Sequence, residues 1–249
     1  MKTLKFPLVL LVILGFAACN KNNQRLSNPN VTFDSNDQAA DIVSNSLAVN
    51  SNGAVNMISD FTLDAQVKAT ADTTCGTAWV DSVSRTSAAG SATTYSYKSK
   101  YSYTINCTNG VYNGSATSDL AYSGSYNGPN LSSANAGSSI FTTTGLRKDS
   151  ANYVVNGEYK SSGSFQSKVD TSYAGSSNVD IVITNLTIAK PYREIKSGTA
   201  TITVSGTMPK KGSFNFTGTL VFNGGNTATL TLNGTVYLIN LLTGDKIRR

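Results

Sequence analysis

Between Thr199 and Asn240 the chain reads TATITVSGTMPKKGSFNFTGTLVFNGGNTATLTLNGTVYLIN, with apolar residues at even positions and mostly threonine or serine between them. The even set is Ala200, Ile202, Val204, Phe214, Phe216, Leu220, Phe222, Leu230, Leu232, Val236 and Leu238. A period of two sends alternate side chains to opposite faces, so this pattern predicts a half-buried antiparallel sheet. Parity also selects a turn. A two-residue Gly224-Gly225 loop would put the two apolar sets on opposite faces, whereas a three-residue loop from Gly224 to Asn226 sets Phe222 opposite Ala228 and Leu220 opposite Leu230. The second register is expected, with Asn226 in the left-handed region.

The same alternation extends upstream. From Gly110 onward short strands are punctuated by Tyr126-Asn127-Gly128-Pro129, Asn156-Gly157 and Ser162-Gly163. Between Cys75 and Cys107 lie two strand-like runs around a turn at Ser87 to Ala92 that contains Gly90. A hairpin folded about Ser91 pairs positions whose numbers sum to 182, which sets Trp79 opposite Tyr103 and Arg85 opposite Tyr97. Tyr95, Tyr101 and Ile105 share that face, and Ser96, Lys98, Lys100 and Ser102 take the other.

Helical periodicity is confined to the N-terminal region. In SNDQAADIVSNSLAVNSNG, Ser35 or Asn36 can cap a helix, Asp37 suits its positive end and Gly53 lies beyond its close. Ala39, Ala40, Ile42, Val43 and Leu47 form a stripe on a helix of about 37–48, expected to dock on the sheet. AVNMISDFTLDAQV is ambiguous, and the alternation from Phe61 to Val67 favours a strand there. These elements together predict an all-β domain over residues 35–249, an antiparallel meander of long strands forming either a twisted sandwich or a half-barrel, with one short N-terminal helix.

At the chain start, Lys2 and Lys5 precede an apolar run from Phe6 to Phe16, then Ala17-Ala18-Cys19. The charged, apolar and small-residue zones are those of a secretory signal, and the run is short for a bilayer span. The small residues before Cys19 resemble a bacterial lipobox, although Phe16 stands where leucine is usual. This predicts a signal peptide over 1–18, lipidation at Cys19 and a polar tether over 19–34, worth about 20 Å at random-coil dimensions. Asn20 is not the aspartate associated with inner-membrane retention in some lipoproteins, so the expected address is the outer membrane, with the periplasmic or surface face left open. With Cys19 lipidated, Cys75 and Cys107 are left as an even pair in an oxidising compartment, and the hairpin register sets them opposite one another. They are expected to form a disulfide.

Composition narrows the chemistry. The formal charge is +6, falling to +4 without Lys2 and Lys5, and the cations are scattered, so no basic stripe for nucleic acid is expected. Histidine is absent, which excludes Ser-His-Asp and Cys-His nucleophiles and every histidine-bearing zinc site. No phosphate-binding glycine loop followed by Lys-Ser/Thr occurs, and no cofactor is expected. Asp34, Asn36 and Asp37 miss the twelve-residue calcium loop, so no metal site is expected. A hydrolase built on paired carboxylates would need two acids converging in a cleft. The hairpin face carrying Trp79, Tyr95, Tyr97, Tyr101 and Tyr103 admits two readings, core packing or a platform for stacking sugars.

The segments AADIVSNSLA, YSGSYNGPNLSS, TTTGL, YVVNGEYKSSGSFQSK and NLTI, together with the C-terminal run, resemble a family of β-rich cell-envelope lipoproteins of the Bacteroidota type. The resemblance covers nearly all of the chain after Cys19 and rests mainly on turn glycines and alternating strands. It implies a surface or periplasmic lipoprotein and carries no activity with it. By similarity to O-glycosylation sites in such organisms it also implies sugar attachment at Thr73, Ser82 and Ser150, each following an aspartate. The function expected is thus a non-catalytic outer-membrane lipoprotein with a structural or binding role, its partners the membrane through the lipid anchor and a glycan or envelope protein. The two alternatives are a glycan-binding module using the aromatic sheet face and a lipid or lipoprotein carrier with a half-barrel cavity.

Overall fold

The computed structural model describes residues 35–71, 75–191, 193–209 and 211–249, without the side chains of Thr70 and Ala71. The signal peptide, Cys19, the tether and Thr73 lie outside the described residues. Two helices, α1 (Ser35–Leu47) and α2 (Ala54–Ala71), are followed by β1 (Ala78–Thr86), β2 (Thr94–Thr108), β3 (Val111–Asn127), β4 (Leu131–Thr144), β5 (Asn152–Ser167) and β6 (Ala174–Ala189). Next come β7 (Glu194–Met208), β8 (Gly212–Gly224), β9 (Thr227–Leu232), β10 (Thr235–Asn240) and β11 (Lys246–Arg248). All eleven strands form one antiparallel sheet in chain order, unclosed, with β1 and β11 at its edges.

A single sheet rules out the two-sheet sandwich among the expected forms. Helix α1 touches every strand from β5 to β11, and α2 touches β2, β3 and β5. A thirteen-residue helix is about 20 Å long, while seven flat strands would span about 29 Å. The sheet must therefore curl round α1, and the result is an open half-barrel whose inner face is occupied by the two helices.

The β1–β2 register is the expected one, with Trp79 paired to Tyr103 and Arg85 to Tyr97. At the β8–β9 turn Phe222 faces Ala228 and Leu220 faces Leu230, as parity required. The loop itself is built differently: the ladder steps from Phe222↔Ala228 to Gly224↔Thr227, so Asn223 is a bulge and the tip is Gly225-Asn226. Asn226 has φ 61°, in the left-handed region.

Four expectations are corrected. Asn156-Gly157 and Ser162-Gly163 are not turns between short strands but lie inside β5, with a bulge at Asn156. Val236 and Leu238 do not continue the inward even set, because Asn233 (φ 47°) and Gly234 (φ 79°) form a two-residue turn that pairs Leu232 with Thr235. Such a turn reverses parity, and Tyr237 and Ile239 are the fully buried side chains of β10. The segment Phe61 to Val67 is not a strand but the middle of a second helix. Among its buried positions, Ala54, Ile58, Phe61, Ala65 and Ala69 recur every three or four residues, while Leu63 and Val67 are 45% and 55% exposed. Finally, α1 is enclosed rather than docked by one stripe, since Asp37, Gln38, Asp41, Ser44 and Ser46 are buried along with its apolar residues.

The buried acids of α1 are met by the C-terminal strands. Tyr237 Oη donates to Asp37 Oδ1 at 2.8 Å, Arg248 Nη1 lies 3.4 Å from Asp37 Oδ2, and Lys246 Nζ lies 2.9 Å from Asp41 Oδ1. Paired in this way, the two carboxylates can be enclosed without leaving an isolated charge. Each fully buried aliphatic side chain beside them, such as Leu47 or Ile239, contributes about 1.5–3 kcal/mol.

Candidate functional site: a cleft beside the second helix

The aromatic face of the β1–β2 hairpin is the seat of α2, not an open platform. Tyr97, Tyr101 and Tyr103 are buried, and only Trp79 and Tyr95 are half-exposed at the rim. Tyr103 stacks on Trp79 with centroids 5.5 Å apart, meets the ring of Phe61 edge-on at 5.9 Å and donates its hydroxyl to Asp64 Oδ2 at 2.5 Å. Arg85 Nη2 bridges to Asp60 Oδ2 of α2 at 2.7 Å. Burial pushes the Tyr103 phenol well above the ordinary tyrosine value, and its bond to Asp64 adds to this. Tyr101 is raised to about 12, first by burial and then by the charge of Asp64.

Cys75 and Cys107 are joined by a disulfide with Cα atoms 5.7 Å apart. Gly76 N donates to Ile105 O and Ile105 N to Thr77 O, so the hairpin ladder runs up to the bond. The crosslink holds the segment joining α2 to β1 against the end of β2. Ser82 is exposed on β1, and Ser150 is half-buried in the β4–β5 loop.

Two small voids lie between helices and sheet among the described residues. One void of about 20 Å³ is lined by Met57, Asp60, Arg85, Tyr97 and Tyr101, and another of about 20 Å³ by Asn45, Ser46, Tyr122, Asn135 and Tyr159. Each is about the size of one water, and the second is polar. Tyr122 Oη donates to Tyr159 Oη at 2.7 Å there, and burial raises both phenols.

One pair of acids of the kind that sequence reasoning left open lies on the outer face. Lys160 on β5 faces Asp180 on β6, with its Nζ 2.7 Å from Glu158 Oε2 and 3.9 Å from Asp180 Oδ2. Burial raises the Asp180 carboxyl, and the Glu158 charge raises it further. The ammonium between the acids and the open sheet surface make this an exposed ion cluster, not two acids across a substrate.

The larger opening is a cleft of about 480 Å³ where three segments meet. Helix α2 contributes Leu63 and Gln66, the β4–β5 loop Lys148, Ser150 and Ala151, and the β6–β7 turn Lys190, Pro191 and Arg193, with Tyr153 on β5 beneath them. The loop can turn back on itself because Gly145 has φ 77° and no side chain; a Cβ there would stand 2.1 Å from Asn152 O. Lys190 then locks it, donating from Nζ to Gly145 O at 2.6 Å and Arg147 O at 2.8 Å, with the Tyr153 ring centroid 4.5 Å away. Burial holds the Lys190 ammonium below the ordinary lysine range.

Arg193 adopts φ 57°, uncommon for a residue with a side chain, and its Nη1 reaches α2 at Ser59 Oγ, 3.1 Å away. Lys148 is exposed on the loop. None of the described residues that line the cleft is acidic, so three cations stand beside an apolar wall, with Asp149 next to Lys148 and acting on Lys190 from outside the lining. The lining holds no paired nucleophile and base; what it offers is N–H donors, positive charge and apolar surface. Ser150 was singled out from sequence only as a sugar acceptor, and the other lining residues were not. No known protein family, curated protein or solved structure matches the chain.

Proposed function

We propose that this chain is a non-catalytic lipoprotein of the outer membrane, anchored through lipidated Cys19, whose half-barrel domain binds a ligand at the cleft beside α2. The observation that carries the binding role is the convergence of Lys148, Lys190 and Arg193 on Leu63 and Pro191 around a cleft of about 480 Å³, against voids of about 20 Å³ inside and surface grooves of about 340 and 400 Å³ along the strands. Small-molecule sites fall in the larger range. The anchor rests on the Ala17-Ala18-Cys19 junction after a short apolar run. The non-catalytic reading rests on the lack of histidine and on the cleft's lining.

The half-barrel architecture invites the reading of a lipid or lipoprotein carrier, but a carrier needs an enclosed apolar cavity, and here the helices fill that position. Glycan binding through the hairpin aromatics would have only the half-buried Trp79 and Tyr95 to work with. Fractionation tests the anchor. Wild-type chain is expected in the membrane fraction with its leader removed, and Cys19→Ala, or globomycin treatment, should block processing and change that partition. Identical processing and partition in both cases would refute the lipoprotein reading.

A further inference from the structure

We infer that the cleft takes a small soluble molecule that joins an anionic head, a phosphate or a carboxylate, to an apolar body. This rests on the reading of the cleft as the binding site and names the class of ligand. Lys148, Lys190 and Arg193 surround a space with no acidic lining residue, while Leu63, 45% exposed, and Pro191 supply an apolar wall. Asp149 offsets Lys190 in part from outside the lining, and a neutral ligand would cover the remaining positive charge without compensating it, at a desolvation cost. A bare inorganic anion would leave Leu63 and Pro191 against water. Only a molecule carrying both characters satisfies both walls.

The cations are also held in place before any ligand arrives. Lys190 is fixed by two carbonyls and the Tyr153 ring, and its ammonium has three donors, so one is left for a ligand. Arg193 is tied to Ser59 through Nη1, leaving the other edge of its guanidinium available for a bidentate anion contact. Its left-handed backbone is a conformation that costs free energy and is concentrated at working sites. A cleft of this volume fits a small molecule and is too small for a folded partner. Preorganised donors lower the ordering cost of binding.

The test uses the full chain in nanodiscs of zwitterionic phosphatidylcholine, titrated with 4-fluorophenyl phosphate and followed by 19F line broadening. Saturable broadening is expected, with 4-fluorobenzyl alcohol and inorganic phosphate each binding far more weakly. Leu63→Glu and Lys148→Glu, both at exposed positions, should each weaken binding about tenfold; a variant that unfolds below the wild-type temperature is set aside and the other decides. Equal binding of the alcohol, equal binding of inorganic phosphate, or unchanged affinity in the folded variants would overturn the inference. Displacement by phosphatidic acid placed in the disc would overturn it too, by making the occupant a membrane lipid. Should the aryl phosphate fail while a neutral compound perturbs the amide of Leu63, the ligand class falls and the binding role stands; no perturbation by either would sink both.

Discussion

Lys246 Nζ lies 2.9 Å from Asp41 Oδ1, with the two side chains only 12% and 4% exposed, so the C-terminal strand is fastened to the first helix by a buried ion pair. Lys246 Nζ also stands 5.7 Å from the Tyr237 ring centroid, and Tyr237 in turn holds Asp37. Removing one member of a buried pair costs about 3–5 kcal/mol because the other charge is left uncompensated. Lys246→Met should lower the urea-unfolding free energy by about 3 kcal/mol, and adding Asp41→Leu should recover most of it. A single variant as stable as the wild type would show that the pair does not hold β11.

Tyr103 supplies the polar bond between the hairpin and α2. Phenylalanine in its place keeps the ring contacts with Trp79 and Phe61 and deletes only the hydroxyl that Asp64 accepts. Hydrogen bonds to charged groups contribute about 1.5–3 kcal/mol, but Asp64 is half-exposed and water can replace part of the bond. Tyr103→Phe should therefore cost about 1 kcal/mol, read from denaturant midpoints at constant slope. A loss as large as that of Tyr103→Ala would mean that the hydroxyl carries the whole contribution and the ring contacts none of it.

Stability should fall at alkaline pH. Burial, first among the causes, raises the phenols of Tyr97, Tyr101, Tyr103, Tyr126 and Tyr159 above the ordinary value near 10, with Tyr101 and Tyr126 at about 12. A raised folded value means that the unfolded chain loses its protons first. The contribution is whole below pH 10 and is lost as pH rises through 10 toward 12. Melting temperature should be flat from pH 8 to about 9.5 and decline above it, with tyrosinate absorbance appearing together with unfolding. Tyrosinate absorbance that rises fully before unfolding would contradict the burial.

The crosslink at the mouth of the β1–β2 hairpin spans a sequence separation of 32. Closing a loop of that length restrains the unfolded chain by about 3–4 kcal/mol. The double substitution Cys75→Ser, Cys107→Ser should lower stability by that order and leave the strand register intact, since the ladder runs the full length of β1 without it. Chemical shifts of β2 amides check the register. Unchanged stability in oxidising buffer would mean that the bond is not formed.

The hairpin was legible because one turn sets the register of every pair, and the cysteines and aromatics agreed on it. Helix α2 was not, because Phe61, Leu63, Ala65 and Val67 satisfy a period of two while Ala54, Ile58, Phe61, Ala65 and Ala69 satisfy a helix. Only enclosure by the sheet decides between the patterns. The parity change at Asn233-Gly234 was missed for a related reason: Val236 and Leu238 are as apolar as Tyr237 and Ile239, and the turn type alone selects the inner pair. The cleft carries no motif, since Leu63, Lys148, Lys190 and Arg193 converge from three distant segments of ordinary composition. Of the buried acids of α1, Asp37 reads from sequence as a helix-start residue and Asp41 carries no signal of its own; their ion pairs depend on strands some 200 residues away.

Every strand of the meander pairs with its neighbour in the chain, so each new ribbon can be added after closing only a short loop. Seating α1 is different, because Asp37 and Tyr237 are 200 residues apart and the entropy of closure grows with that span. An emerging polypeptide can thus zip its ribbons in order of arrival, while the first-made helix stays without its final cover until the last strands are delivered. A product cut short before Lys246 would lack the ammonium that meets Asp41, a built-in mark of incompleteness at the opposite terminus.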